Sequence, residues 1–86
     1  MNILNGYIVK WYYNEEEDGS VKTTCTVEKD GVLLSGDSIC SPKDNFSKAM
    51  GRKISLKRAV LKLENREERR GIWKAYRNNM TAVPRW

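Results

Sequence analysis

The N-terminal half of the chain alternates between apolar and polar positions, as β-strands do. Residues 3–13 are rich in the β-branched and aromatic side chains that favour strands. Residues 21–28 alternate more regularly, with Val21, Cys25 and Val27 on one face and polar side chains on the other. The pattern therefore predicts an antiparallel sheet with one buried face and one face in water.

Two short segments predict the turns of this sheet. Asp30 and Gly31 suit the two positive-φ positions of a type I′ hairpin. If these two residues form the loop, Val27 faces Leu34 across the hairpin. The acidic run at residues 15–18, which is followed by Gly19-Ser20, is typical of a solvated turn between the first and second strands.

After residue 40 the apolar residues recur at helical spacing. Ser41 and Pro42 are typical of a helix start, because Ser can cap a helix and Pro is favoured at its first position. Gly51 lies inside the apolar stripe, so the segment is predicted to form either one helix or two. The stripe consists of Phe46, Met50, Ile54, Leu56, Val60 and Leu63.

A last helix is predicted to begin after Asn65, which can cap it. Its apolar side consists of Ile72, Trp73, Tyr76 and Met80. The order of elements predicts a single α+β domain over residues 1–86, in which a three-stranded antiparallel meander precedes two or three helices packed on one face. The expected bounds are 3–13, 21–28 and 32–40 for the strands, 42–50, 53–64 and 66–79 for the helices, and 80–86 for a tail.

The residue composition excludes several kinds of chemistry. The 86 residues include no His, which removes Ser-His-Asp and Cys-His catalysis and every His-ligated zinc site. Asp37 and Asp44 lie close together in the sequence, but no further ligands accompany them at metal-binding spacing. We therefore expect no catalytic residues, no metal site and no cofactor, and an enzyme is the least favoured functional hypothesis.

Cys25 and Cys40 can form one disulfide or remain free thiols. The predicted hairpin register separates them by about 13 Å, whereas a disulfide requires Cα atoms within about 7 Å. The sequence has no apolar run of about 18 residues and no basic segment followed by an apolar block, so we expect no membrane span, no secretory signal and a reducing cytoplasm. Free thiols buried in the core are the favoured interpretation.

The net charge of +5 is unevenly distributed. Residues 1–31 carry three lysines against six carboxylates, a net charge of −3, whereas residues 32–86 carry 13 basic against five acidic residues, a net charge of +8. Basic side chains on helices can bind phosphates or an acidic protein, and the alternative is a solvated helix face whose Lys stems cover apolar surface. The candidate binding residues are Lys43, Lys48, Arg52, Lys53, Lys57, Arg58 and Lys62.

Two aromatic residues are candidate anchors for a partner. Alternation places Tyr12 on the face opposite Trp11, beside Lys10, where it can stack on a base or pack against a neighbouring strand. Trp86 ends the chain and has no evident packing partner in the sequence. Chain ends are commonly mobile, but an exposed Trp is also a common anchor at protein interfaces.

Residues 40–48 and 51–59 carry the most distinctive motif of the chain. They read Cys-Ser-Pro-Lys-Asp-Asn-Phe-Ser-Lys and Gly-Arg-Lys-Ile-Ser-Leu-Lys-Arg-Ala. This resembles short phage-encoded accessory proteins in which Cys-x-Pro-x-Asp-x-Phe precedes Gly-Arg-x-Ile-x-Leu-x-Arg-Ala. The resemblance implies a phage protein that acts in the cytoplasm of a bacterial host, where small proteins of this kind commonly disable restriction, CRISPR or other defence machinery.

Two functional hypotheses follow from the charge pattern and the resemblance. The first is a non-enzymatic accessory protein of anti-CRISPR or anti-restriction type, which binds and inhibits a host protein or ribonucleoprotein complex. The alternative is a small basic module that binds nucleic acid directly. The sequence does not predict an oligomeric state.

Overall fold

A four-stranded antiparallel sheet with two helices on one face forms the domain. The computed structural model describes residues 2–45 and 47–82, and the side chains of residues 2–45 and 47–78. The strands β1 (Asn2–Leu4), β2 (Tyr7–Glu15), β3 (Val21–Lys29) and β4 (Val32–Cys40) are ordered as in the chain. The helices α1 (Lys48–Val60) and α2 (Arg66–Ala82) follow. The α+β class is confirmed.

The sheet has one strand more than the sequence pattern predicted. Residues 3–13 were expected to form one strand, but the chain reverses at Asn5 and Gly6, whose φ angles are 53° and 83°. This is a two-residue hairpin, and Asn-Gly is the sequence that such hairpins prefer. The reversal pairs Leu4 with Tyr7 and adds β1 as a short edge strand.

The predicted pairing of β3 with β4 is confirmed. Asp30 and Gly31 have φ angles of 51° and 82°, as a type I′ turn requires. Val27 is paired with Leu34, and Val21 with Cys40. The side chains of Val27 and Cys25 are fully buried under the helices, whereas Thr26 between them lies on the opposite face.

Both cysteines are free thiols, as the register predicted. Cys25 lies in the core, and burial raises the pKa of its thiol to about 12. Cys40 at the end of β4 is only half-buried, because the turn that follows covers it incompletely. The expectation of two core thiols is therefore met at Cys25 only.

The prediction of a helix from residue 42 is wrong. Ser41 caps a tight turn instead: its carbonyl oxygen accepts from the N–H of Asp44 at 3.0 Å, and its hydroxyl accepts from the N–H of Lys43 at 3.2 Å. The first helix begins after Ser47, whose Oγ accepts from the N–H of Met50 at 3.2 Å. Phe46, the first residue of the predicted stripe, lies outside the described residues.

Gly51 does not break α1, so the described residues contain two helices. The N–H of Gly51 donates to the carbonyl oxygen of Ser47 at 3.0 Å, and the helix continues to Val60. The predicted inward stripe is also wrong at its start, since Met50 is exposed and Ile54 is only half-buried. The residues that α1 buries are Gly51, Ser55, Leu56, Ala59 and Val60.

Small residues face the sheet because α1 lies very close to β3 and β4. A Cβ atom at Gly36 would lie 2.4 Å from the backbone nitrogen of Ala59 and 2.5 Å from the carbonyl oxygen of Ser55. A Cβ atom at Gly51 would lie 2.6 Å from Oγ1 of Thr23. Only glycine fits at these two points, so the packing of α1 depends on missing side chains as much as on apolar ones.

The second helix is capped by Asn65 as its sequence predicts, but it continues to Ala82 instead of ending at residue 79, and the side chain of Met80 on its predicted apolar side lies outside the described side chains. Oδ1 of Asn65 accepts from the N–H groups of Glu67 and Glu68 at 2.9 and 3.1 Å. Ile72 and Tyr76 are buried against the sheet. Together with residues of β1 to β3 and α1, they complete a core of Leu4, Tyr7, Val9, Cys25, Val27, Leu56, Ala59, Val60, Ile72 and Tyr76.

We expect Gly36→Ala to lower the free energy of unfolding by about 3 kcal/mol, because its Cβ meets backbone atoms that cannot rotate away. Ser35→Ala on the exposed face of the same strand is the control, and we expect it to change stability by less than about 0.5 kcal/mol. Urea denaturation measures both. Equal stability of the two variants would contradict the close approach of α1.

Two buried hydroxyls give a second prediction. Oγ1 of Thr23 has no hydrogen-bond partner among the described residues, whereas Oγ of Ser55 donates to the carbonyl oxygen of Gly51 at 2.7 Å. We expect Thr23→Val to preserve stability or raise it by up to about 1 kcal/mol, and Ser55→Ala to lower it by about 1 kcal/mol. Thermal unfolding compares them, and a lower stability of Thr23→Val than of Ser55→Ala would contradict this assignment.

Candidate binding groove between the helices

The two helices cover different parts of the sheet and leave a groove between them. Helix α1 packs on β3 and β4, while α2 packs on β1 and contacts Trp11 of β2 through Tyr76. We call the space between them the α1–α2 groove. Its lining consists of Met50, Lys53, Ile54, Lys57, Val60 and Leu61 from the side of α1, and of Arg66, Arg69, Arg70, Trp73 and Arg77 from α2.

Trp73 lies at the centre of the groove. Three adjoining hollows of about 460, 430 and 310 Å³ all reach its side chain. The ring of Trp73 packs edge-to-face on Tyr76 with centroids 5.7 Å apart, and Tyr76 packs on Trp11 at 6.2 Å. Nε1 of Trp11 donates to the carbonyl oxygen of Arg52 in α1 at 3.2 Å. The three rings therefore link both helices to the sheet and hold Trp73 in place.

Residue spacing explains why these side chains share one groove. On an α-helix, residues three or four apart lie on the same face. In α2 this spacing aligns Arg66, Arg70, Trp73 and Arg77, and in and just beyond α1 it aligns Met50, Lys53, Lys57 and Leu61. The α2 stripe was not among the binding residues predicted from the sequence, although its spacing is readable there.

The groove is positively charged throughout. Six of its lining residues are Lys or Arg, and no carboxylate lies among the described lining residues. Glu68 of α2 points away from the groove, where its carboxylate lies 3.8 Å from Nζ of Lys29. The guanidinium of Arg69 donates to the carbonyl oxygen of Leu63 and so stiffens the link between the helices. An acidic partner would therefore meet cations, apolar side chains and no carboxylate among the described lining residues around an aromatic centre.

The seven basic residues predicted to bind a partner do not form one surface. Only Lys53 and Lys57 lie in the α1–α2 groove. Lys43 is exposed in the turn before α1. Nζ of Lys48 lies 5.3 Å from the ring centroid of Tyr13, and Nη1 of Arg52 donates to the Tyr13 hydroxyl at 3.3 Å.

Arg58 and Lys62 cover the free edge of the sheet. Strand β4 is an edge strand, so part of its backbone has no strand partner. Nη1 of Arg58 donates to the carbonyl oxygen of Asp37, and Nζ of Lys62 donates to that of Ser35, both at 2.6 Å. These two cations satisfy edge carbonyls that a strand of another chain would otherwise pair with.

The candidate aromatic anchors differ in their surroundings. Tyr12 is exposed on what we call the open face, the side of the sheet away from the helices. It is paired with Thr24, and Thr24 donates to the carboxylate of Asp37 at 2.9 Å. Because the carboxylate of Asp37 lies near the Tyr12 ring, its negative charge disfavours the binding of a phosphate chain at Tyr12. Trp86 lies outside the described residues.

Other kinds of site are not found in the described part of the chain. Its residues contain no group of three His, Cys, Asp or Glu arranged to hold a metal ion, and no described helix is long and apolar enough to cross a membrane.

No protein-family model matches the sequence, and neither curated proteins nor solved structures show significant similarity to it.

Neutralising the cations at the edge of β4 is expected to lower stability more than neutralising the cations of the groove. We expect Arg58→Gln and Lys62→Gln each to lower the free energy of unfolding by about 0.5–1 kcal/mol, because each removes a hydrogen bond to an edge carbonyl. Lys53→Gln and Lys57→Gln are expected to change it by less than about 0.5 kcal/mol. Urea denaturation of the four variants distinguishes structural cations from those of the groove. Equal losses of unfolding free energy in all four variants would contradict the division into edge cations and groove cations.

Proposed function

We propose that the protein is a non-enzymatic binding protein that uses the α1–α2 groove to occupy an acidic surface of another macromolecule. One observation carries the proposal: Trp73 lies among six Lys and Arg side chains, with no carboxylate among the described lining residues. Trp and Arg are the residues that most often dominate binding energy at protein interfaces.

The lining of the groove favours a protein partner over a nucleic acid. Met50 and Leu61 are exposed beside the cations. Such side chains gain free energy when they are buried against apolar groups of a protein, whereas a phosphate chain offers them nothing comparable. The cations then orient the partner and accelerate its association, and the apolar contacts slow its release.

The proposed biological role follows from the resemblance of residues 40–59 to phage accessory proteins. In that role the protein would act in the cytoplasm of a bacterial host and inhibit a host protein or ribonucleoprotein complex by covering an acidic part of its surface. The groove supports binding of this kind without any catalytic group.

A charge-reversal variant tests the proposal. We expect Lys53→Glu combined with Lys57→Glu to reduce capture of a partner from bacterial lysate at least tenfold, because two groove cations become anions. Lys43→Glu combined with Lys74→Glu is the matched control, since it changes the net charge equally at exposed positions outside the groove. Capture is measured with and without nuclease treatment, after circular dichroism has shown that both variants fold.

Two results would contradict the proposal. Equal loss of capture in both variants would show that net charge alone matters and that the groove is not the site. Tight, salt-sensitive binding of the unmodified protein to generic duplex DNA or RNA in a gel-shift assay at near-physiological salt would favour the nucleic-acid-binding module instead.

A further inference from the structure

The open face of the sheet carries large apolar side chains that the helices do not cover. They come from all strands but β3: Ile3, Ile8, Tyr12, Leu33 and Ile39. Leu33 is 61% and Ile39 is 65% exposed. Large apolar side chains that share one uncovered face of a small protein commonly mark an interaction surface. The open face is therefore a second surface, on the side of the sheet opposite the α1–α2 groove.

Strand register arranges the open face in four rows across β2, β3 and β4. The first row contains Ile8, Glu28 and Leu33, and the fourth contains Asn14, Lys22 and Ile39. The second row contains Lys10, Thr26 and Ser35, and the third contains Tyr12, Thr24 and Asp37. Two lysines and two carboxylates thus lie on the face and balance each other. A neutral face of this kind does not suit the acidic partner proposed for the groove.

We propose that the open face binds a second copy of this chain through a twofold axis that lies between the sheets and runs across the strands. The axis passes at the level of Trp11, Cys25 and Gly36, midway between the second and third rows. Rotation about it places the first row of one chain over the fourth row of the other. A twofold interface must be self-complementary, since each contact occurs twice.

One contact in each of the strands β2, β3 and β4 meets this requirement, whereas Ile8 lies over Asn14 of the other copy and gains no apolar partner. Leu33 lies over Ile39 of the other copy, which buries the two most exposed apolar side chains of β4 on this face. Glu28 lies over Lys22 of the other copy, so opposite charges meet, and Lys10 lies over the ring of Tyr12, where a cation is attracted to the π-face.

The charges of the single chain leave these contacts available. Within the described residues, Glu28 and Lys10 take part in no ion pair. Nζ of Lys22 lies 3.8 Å from the carboxylate of Asp37, which is a long and exposed pair. The second copy therefore supplies partners that Glu28 and Lys10 lack.

The size of the face predicts a weak dimer. Strands rise about 3.4 Å per residue and lie about 4.8 Å apart, so the flat outline of three nine-residue strands with the short β1 measures only roughly 500 Å². Stable interfaces bury about 800 Å² on each partner. We therefore expect a dimer that forms and dissociates with concentration, and whose sheets pack about 10 Å apart.

Sedimentation equilibrium across micromolar to millimolar concentrations tests the proposal. The unmodified protein is expected to approach the mass of two chains as the concentration rises. We expect Leu33→Asp to raise the dissociation constant of the dimer at least about tenfold, because it places an unpaired charge in an apolar contact. Val32→Asp is the matched control: Val32 is adjacent in β4 and 58% exposed, but it points to the other side of the sheet.

A charge exchange tests the twofold arrangement itself. Lys22→Glu and Glu28→Lys are each expected to raise the dissociation constant, because like charges then face each other across the interface. The double variant restores opposite charges and is expected to return to within about threefold of the original value. A different packing of the two sheets would not produce this rescue.

Four results would overturn the proposal. The first two are a single-chain mass at every concentration and a dissociation constant that Leu33→Asp leaves unchanged. The other two are an equal loss of dimer affinity in Val32→Asp and a double variant of Lys22 and Glu28 that does not recover the original dissociation constant. The double Lys53→Glu, Lys57→Glu variant is expected to dimerise as the unmodified protein does. Failure of the dimer therefore leaves the groove proposal untouched, and failure of groove binding leaves the dimer untouched.

Discussion

The close approach of α1 to β3 and β4 is the constraint on which the other features depend. Gly36 in the sheet and Gly51 in the helix lack the side chains that would separate the two layers, and Ser55 and Ala59 keep the contact thin. The stabilisation of α1 therefore comes from contact along its backbone as well as from its larger residues. A single methyl group at Gly36 would displace the helix.

That approach also determines what α1 offers to solvent. Since small residues occupy the inner side of the helix, Met50, Lys53 and Lys57 lie on its outer side, next to Trp73 of α2. The basic residues of the helical segment are divided as a result. Some line the groove, and Arg58 and Lys62 stabilise the edge of β4. A count of basic residues in the sequence would therefore overstate the number of cations that are available to bind a partner.

The two proposed surfaces differ in their physical character, and they lie on opposite sides of the sheet. The groove is strongly cationic around an aromatic centre, which suits an acidic macromolecule. The open face is charge-balanced and has apolar side chains at its two ends, which suits a copy of the chain. A dimer formed through the open face would leave both grooves accessible and present two of them to a partner, which would increase avidity without any new contact.

Features that depend on neighbouring residues were predictable from the sequence. Asp30-Gly31 sets the register of β3 and β4 because its backbone preference is local, and Asn5-Gly6 carries the same signal for β1, although the strand pattern around it obscured the turn. The inner side of α1 was not predictable. Glycine and small residues give no hydrophobic period, and their role appears only where Gly36, distant in sequence, comes within contact of the helix. The groove likewise exists only because two consecutive helices, separated by a five-residue link, pack on different parts of one sheet.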